Sequence, residues 1–290
     1  MTAKLLDLLI AARPRQWVKN LFVFAAPVFA VRFVEPEVML RSLLAFFALS
    51  CASSGVYLVN DVVDRDADRQ HPDKRKRPLA AGRLSVTDCA LLALGFWIVA
   101  AALLLLLRTP AAIVVVIAYI ALNLAYSLYF KHKVVIDVLL LALGFVLRVL
   151  LGGVANHIEV SPWLILCTFL LAMFLGFSKR RHELLVLENN AHMHRRILSE
   201  YEPYFLDQMI AVTTASTFLS YCLYTILTPT FQYMEATIPF VAYGILRYLY
   251  LVHRREKGGD PTEVVLSDRG LLLNLLLWIV LVFALAGYSR

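Results

Sequence analysis

Four aspartates, Asp61, Asp64, Asp66 and Asp68, crowd the segment that begins at Asn60. Asn60, Asp64 and Asp68 recur every four residues, so on an α-helix they share one face with a drift of about 40° per step. Asp61 lies beside them, three residues before Asp64. Carboxylates at such spacing repel one another. They also crowd the C-terminal end of a helix, where the macrodipole already disfavours negative charge. A bound cation relieves both penalties. The oxygen-only set Asn60, Asp61, Asp64 and Asp68 suits Mg2+, which takes one or two carboxylates and completes its shell with water and substrate phosphates. The competing reading is an acidic helix end balanced by nearby arginines.

Four consecutive cations, Lys74, Arg75, Lys76 and Arg77, follow within ten residues. Carboxylates that hold a metal, beside cations that hold the remaining phosphate oxygens, are what a magnesium-bound diphosphate requires. The same run would also serve as an anchor on anionic lipid. Other chemistry is scattered. Arg148 stands in the middle of an apolar stretch, where an arginine is costly and usually faces a polar cavity. It either meets a substrate phosphate or a cavity carboxylate, or closes a structural ion pair. Asp137 shares nearly its face but lies about 16 Å along the axis, too far to pair with it directly. Tyr126 and Lys131 end another apolar stretch; Lys131 either binds phosphate at a cavity mouth or is an ordinary membrane-flanking lysine. Cys51, Cys89, Cys167 and Cys222 are isolated, with no metal-ligand or redox spacing. His182, His192, His194 and His253 read as surface groups, and nothing suggests a covalent nucleophile.

These residues need elements to hold them, and composition says which. The 290-residue chain is 60% hydrophobic and only 17% charged, against roughly 25% charged in soluble domains. A disordered chain, a disulfide-stapled secreted scaffold and an ordinary cytosolic enzyme are excluded. A membrane helix needs about 20 mostly apolar residues. Apolar runs near 18–34, 41–62, 87–107, 111–130, 134–152, 161–178, 207–228, 235–252 and 270–288 predict nine transmembrane helices. The expected architecture is an all-α polytopic membrane protein, one domain over 1–290. Residues 1–15 read as an amphipathic helix on the membrane surface rather than a cleavable leader. The two long loops, 63–86 and 179–206, carry most of the polar chemistry.

Net charge is +7, and its placement orients the chain. With nine spans, 22 of the 28 lysines and arginines fall on the N-terminal side. Arg32, Arg41, Arg108 and Arg290 fall on the other, and Arg148 and Arg247 lie inside spans. Positive residues mark the cytoplasmic side. That predicts a cytoplasmic N-terminus and active site, with the C-terminus outside.

Asn60-x-x-x-Asp64-x-x-x-Asp68 after the second span, followed by Lys74-x-x-Arg77-Pro78, resembles the UbiA-type superfamily of intramembrane prenyltransferases. The resemblance runs over essentially the whole chain and implies nine helices around a central cavity. Members usually carry a second aspartate-rich motif after the sixth span. Here the matching place reads Gly176-Phe177-Ser178-Lys179-Arg180-Arg181-His182-Glu183. With Arg13-Pro14-Arg15-Gln16-Trp17-Val18-Lys19-Asn20, Tyr126-Ser127-Leu128-Tyr129-Phe130-Lys131-His132 and Leu147-Arg148-x-x-x-Gly152-Gly153, that place is similar to the decaprenyl-phosphate phosphoribosyltransferase branch.

The resemblance implies Mg2+-dependent transfer of 5-phosphoribose from 5-phosphoribosyl 1-diphosphate to a polyprenyl phosphate, in a bacterial cell membrane. Its product would be an arabinose-donor precursor for the cell wall. It also draws Lys19 into the substrate site. Such a reaction handles a metal diphosphate, a separate 5-phosphate and a lipid monophosphate. One acidic motif serves the metal, and Lys179, Arg180 and Arg181 are available for the additional phosphates. The rivals are a prenyltransferase acting on an aromatic or other small acceptor, and a transporter or lipid-binding scaffold. Nucleic acid is not an expected partner, and self-association stays open.

Overall fold

The computed structural model describes residues 2–70, 74–186, 200–227, 231–254 and 261–288. All regular elements among them are helical. In chain order the α-helices are α1 (Thr2–Ala12), α2 (Ala25–Phe29), α3 (Pro36–Val63), α4 (Arg65–Gln70), α5 (Val86–Leu107), α6 (Pro110–Leu128), α7 (Ile136–Ala155), α8 (Pro162–Val186), α9 (Pro203–Leu227), α10 (Ile238–Arg254), α11 (Pro261–Ser267) and α12 (Arg269–Tyr288). Pro36, Pro110, Pro162, Pro203 and Pro261 open five of them, where a missing N–H costs nothing. Ser85 and Asp88 form a reciprocal capping box that starts α5.

Seven of these helices, α3, α5, α6, α7, α8, α9 and α12, are long and apolar enough to cross a membrane. The two other expected spans take a different form. Residues 18–34 do not make one long helix: Pro14–Phe24 is a 3-10 helix that runs into the short α2. The expected span 235–252 becomes a 3-10 turn, Met234–Thr237, followed by α10, with 17 residues and Arg247 within it. Of the segment 1–15 expected as a surface helix, Thr2–Ala12 forms α1, with Leu5, Leu6, Leu9 and Ile10 exposed along it. The loop expected at 63–86 holds α4 and a 3-10 turn at Lys74–Lys76, while His71, Pro72 and Asp73 lie outside the described residues. The loop expected from 179 begins later, because α8 continues to Val186. Residues 187–199, with His192 and His194, lie outside the described residues, as do Arg255, Lys257 and Arg290, and the last part of that expected loop is already helical from Pro203.

Contacts divide the chain into two compact units. The first comprises 1–27, 33–140 and 147–159. Its core is a seam of small residues: Ala45, Ala48 and Ala52 on α3 are buried among Ala100, Leu104, Ala112 and Val116 of α5 and α6. Small side chains let apolar helices approach closely, which is how helices associate when lipid offers no hydrophobic contrast. Gly55 continues the seam: a Cβ there would fall 2.3 Å from the Trp97 indole nitrogen, which donates to the Ala52 carbonyl at 3.3 Å. Opposite, Leu91, Leu94, Ile98, Leu105 and Leu106 of α5 are exposed, the face that suits lipid tails.

At the far end of the first unit, Arg41 donates to the carbonyls of Ala155 (2.6 Å) and Leu107 (3.3 Å) and to the Thr109 hydroxyl (2.8 Å). One guanidinium thus serves the C-terminal ends of both α7 and α5, where carbonyls lack helical partners. The second unit comprises 28–32, 141–146 and 160–290. In it α8 packs along α9, and α10 along α12. The Tyr221 hydroxyl lies 2.7 Å from Thr237 and accepts from the Trp278 indole at 3.3 Å.

Gly152 allows a close approach within the first unit: a Cβ there would lie 1.8 Å from the Val23 carbonyl oxygen. Gly152→Ala is expected to lower the melting temperature in detergent, as an overpacking cost of about 1–3 kcal/mol. Gly95→Ala, which meets nothing within 4 Å, is expected to melt no lower than the parent chain.

Candidate active site

The acidic motif sits in the first unit, where α3 ends and α4 begins. Asp64 caps α3 with φ −93° and ψ 4°, so Asn60, Asp64 and Asp68 do not lie on one uninterrupted helix. The four-residue succession survives the break, because the Asp64 N–H donates to the Asn60 carbonyl at 2.9 Å and the Asp68 N–H to the Asp64 carbonyl at 2.8 Å. Asp61 and Asp68 are buried. Two buried carboxylates are sustainable only with partners, and the basic residues supply them. Arg77 donates to Asp61 at 3.1 Å and to Asp68 at 2.5 Å. The Lys74 ammonium lies 4.0 Å from Asp68. Lys131 is ion-paired with Asp64. Arg13 is ion-paired with Asp61 and lies over the Tyr57 ring, 5.2 Å from its centroid. Burial lowers the Arg13 guanidinium from its ordinary pKa, and the Asp61 carboxylate opposes that shift.

The structure therefore brings together Asp61, Asp64, Asp68, Lys74, Arg77 and Lys131. Asp66 is different: it is largely exposed and pairs with Arg65 and Arg69, outside this set. Arg75 is exposed on the short 3-10 turn. Tyr126 lies on α6, less than two turns before Lys131. Arg13 is the participant that residue spacing missed, because 48 positions separate it from Asp61. Its signal was present in the Arg13-Pro14-Arg15 sequence at the end of α1. Arg13 adopts a left-handed backbone, φ 53°, that turns the chain from α1 into the 3-10 helix.

That 3-10 helix is pinned by buried polar groups. Trp17 donates to Ser54 at 3.0 Å, and Ser54 to the Ala12 carbonyl at 2.8 Å. Asn20 donates to Ser50 at 3.1 Å and Ser53 at 3.3 Å. The Asn20 side-chain oxygen accepts from Arg148 Nε at 3.0 Å, while Arg148 Nη2 donates to the Tyr119 hydroxyl at 2.9 Å. The Arg148 guanidinium also lies 4.9 Å from the Tyr119 ring centroid. Arg148, offered by the sequence as a phosphate ligand or an ion-pair member, donates to these two uncharged oxygens and so fixes the segment carrying Lys19 and Asn20.

In the second unit the basic cluster lies on α8 itself. Arg180 is almost wholly buried and donates to Glu183 at 2.6 Å, an ion pair one helical turn apart. Arg181 donates to Asp207 at 2.5 Å, and His253 Nε2 lies 3.2 Å from the same oxygen. Lys179 precedes them on the helix. Among the described residues no three Asp, Glu, His or Cys side chains converge on a single point. The acidic motif nonetheless fits a hard divalent cation in its chemistry. Its donors are all oxygen, and side-chain cations already sit on those oxygens with the charge that a metal would bring.

The UbiA prenyltransferase family model matches residues 21–264. The chain belongs to the UbiA prenyltransferase family. A decaprenyl-phosphate phosphoribosyltransferase of Corynebacterium glutamicum is 36% identical over 280 residues, 93% of this chain and 83% of the relative. A decaprenyl-phosphate phosphoribosyltransferase of Mycobacterium tuberculosis is 35% identical over 294 residues, 96% of this chain and 94% of that one. The structure of a UbiA homolog from Archaeoglobus fulgidus bound to GPP and Mg2+ matches with a TM-score of 0.72 at 20% identity, covering 97% of this chain and 99% of that one. That likeness establishes the UbiA fold.

Arg148→Met would leave the Asn20 oxygen and the Tyr119 hydroxyl without their donor. A loss of about 1–3 kcal/mol is expected, read as a lower melting temperature in detergent, with Arg148→Lys losing less.

Proposed function

We propose that this UbiA-family protein transfers 5-phosphoribose from 5-phosphoribosyl 1-diphosphate to a polyprenyl phosphate, releasing diphosphate. The observation that carries this reading is similarity along nearly the whole chain to two proteins named for that reaction. Two further features support it. Asp61, Asp64 and Asp68 are interleaved with Arg77, Lys74 and Lys131, an arrangement suited to a metal diphosphate. The place where family members usually carry a second acidic motif holds Lys179, Arg180 and Arg181.

Asn60, Asp61, Asp64 and Asp68 would hold Mg2+, which neutralises the charge that builds on a departing diphosphate. The remaining work falls to the chain. Lys74, Arg75, Arg77 and Lys131 bind diphosphate oxygens. Lys19 and Tyr126 position the substrates, and Lys179, Arg180 and Arg181 offer charge to a further phosphate. Arg148 acts at one remove, through Asn20. The bond from the anomeric carbon to the diphosphate oxygen breaks with its electron pair leaving on the diphosphate. A bond from that carbon to the lipid phosphate oxygen forms on the opposite face and inverts the centre. That oxygen is already ionised at neutral pH, so no general base is required. The cations offset the repulsion between two anionic substrates and hold them in register. The chain crosses the membrane nine times, with the acidic motif on the cytoplasmic side, where the basic residues concentrate.

The test is incubation with labelled phosphoribosyl diphosphate and polyprenyl phosphate, with and without Mg2+, followed by lipid extraction. Label is expected in the lipid phase only with Mg2+. Asp64→Asn or Asp68→Asn is expected to lower turnover at least about a hundredfold. Full activity in either variant, or transfer of a prenyl group from prenyl diphosphate to an aromatic acceptor instead, would overturn the proposal.

A further inference from the structure

The carboxylates proposed to hold the metal are the same ones that side-chain cations hold in the structure. Arg77 bridges Asp61 and Asp68, Lys131 is on Asp64, Arg13 on Asp61 and Lys74 near Asp68. A divalent cation and these ammonium and guanidinium groups compete for one set of oxygens. Formal charge shows the consequence. Three carboxylates facing four cations leave the cluster with one positive charge. A bare divalent ion raises it to three, in a place where Asp61 and Asp68 are buried and screening is weak. A divalent ion arriving with a triply ionised diphosphate brings it to zero. The diphosphate also gives the displaced cations new acceptors, in charge-assisted bonds as strong as those they leave.

We infer that Lys131 and Arg77 are exchange partners. They hold the aspartates in the pairing seen here, and pass to the diphosphate as the metal takes the carboxylates, so that metal and diphosphate bind cooperatively. The inference rests on the proposed function and adds an order to it: Mg2+ alone is a poor ligand, and the metal diphosphate is the species the site takes. The exchange assigns Lys131 two successive partners, and removing it must therefore act in opposite directions on the two ligands.

The experiment is calorimetric titration of the full chain in detergent, with Mg2+ alone and with preformed magnesium pyrophosphate. The parent chain is expected to take magnesium pyrophosphate at least about tenfold more tightly than Mg2+ alone, a coupling of ordinary size. Lys131→Met, which frees Asp64, is expected to bind Mg2+ alone more tightly and magnesium pyrophosphate more weakly than the parent. Arg77→Gln provides the same paired reading should Lys131→Met melt early. Weaker or unchanged Mg2+ binding in both variants, or equal affinity of the parent for Mg2+ and its pyrophosphate complex, would overturn the exchange. A folded parent chain that takes up neither ligand would overturn the proposed function itself, a separate result.

Discussion

Arg77 is the hinge of the acidic motif. Asp61 closes α3 and Asp68 lies on α4, two helices separated by the break at Asp64. Both carboxylates are buried, and one guanidinium reaches both. Without it, Asp61 would depend on Arg13 and Asp68 on the more distant Lys74, beside a helix end whose dipole already repels both carboxylates. That shared contact ties the end of α3, α4 and Arg77 of the basic run together. Arg13 and Lys131 complete the balance from distant parts of the sequence. The basic residues after the motif are therefore part of its structure, beside the part proposed for them as ligands of a phosphate.

A second constraint lies within the apolar region. The 3-10 helix Pro14–Phe24 carries Lys19 and leads the chain out of α1. It is held by hydrogen bonds from Trp17 and Asn20 to the serines of α3, by Arg148, and by the contact of the Val23 carbonyl with Gly152. A polar network of this kind is costly when half-satisfied and specific when complete. It explains why an arginine is tolerated in the middle of α7, and why Gly152 stands one turn beyond it on the same helix.

Much of this was legible in the sequence, and the failures are informative. The all-helical membrane fold follows from the apolar runs, since the bilayer fixes helix length. The clustering of Asp61, Asp64 and Asp68 was visible from their spacing, and the Lys74–Arg77 run from its proximity, but the single helical face expected with Asn60 is divided at Asp64. The segment near 18–34 is apolar enough to suggest a spanning helix. Its form as a 3-10 helix is set by Ser50, Ser53, Arg148 and Gly152, contacts that no local pattern encodes. The loop assigned from 179 likewise proved helical through Val186, because Arg180 with Glu183 supports the helix at i,i+3 spacing. Arg13 went unassigned for the same reason: its partner lies 48 residues away.

Asp61, Asp64 and Asp68 are proposed as a metal-diphosphate site whose charges are held in balance by Arg77 and Lys131. Anomalous diffraction from crystals of the full chain grown with Mn2+ and pyrophosphate tests it most directly. The expected result is a manganese peak on these aspartates, with pyrophosphate oxygens against Arg77 and Lys131. Manganese bound elsewhere, with Arg77 still bridging Asp61 and Asp68 and Lys131 still on Asp64, would contradict it.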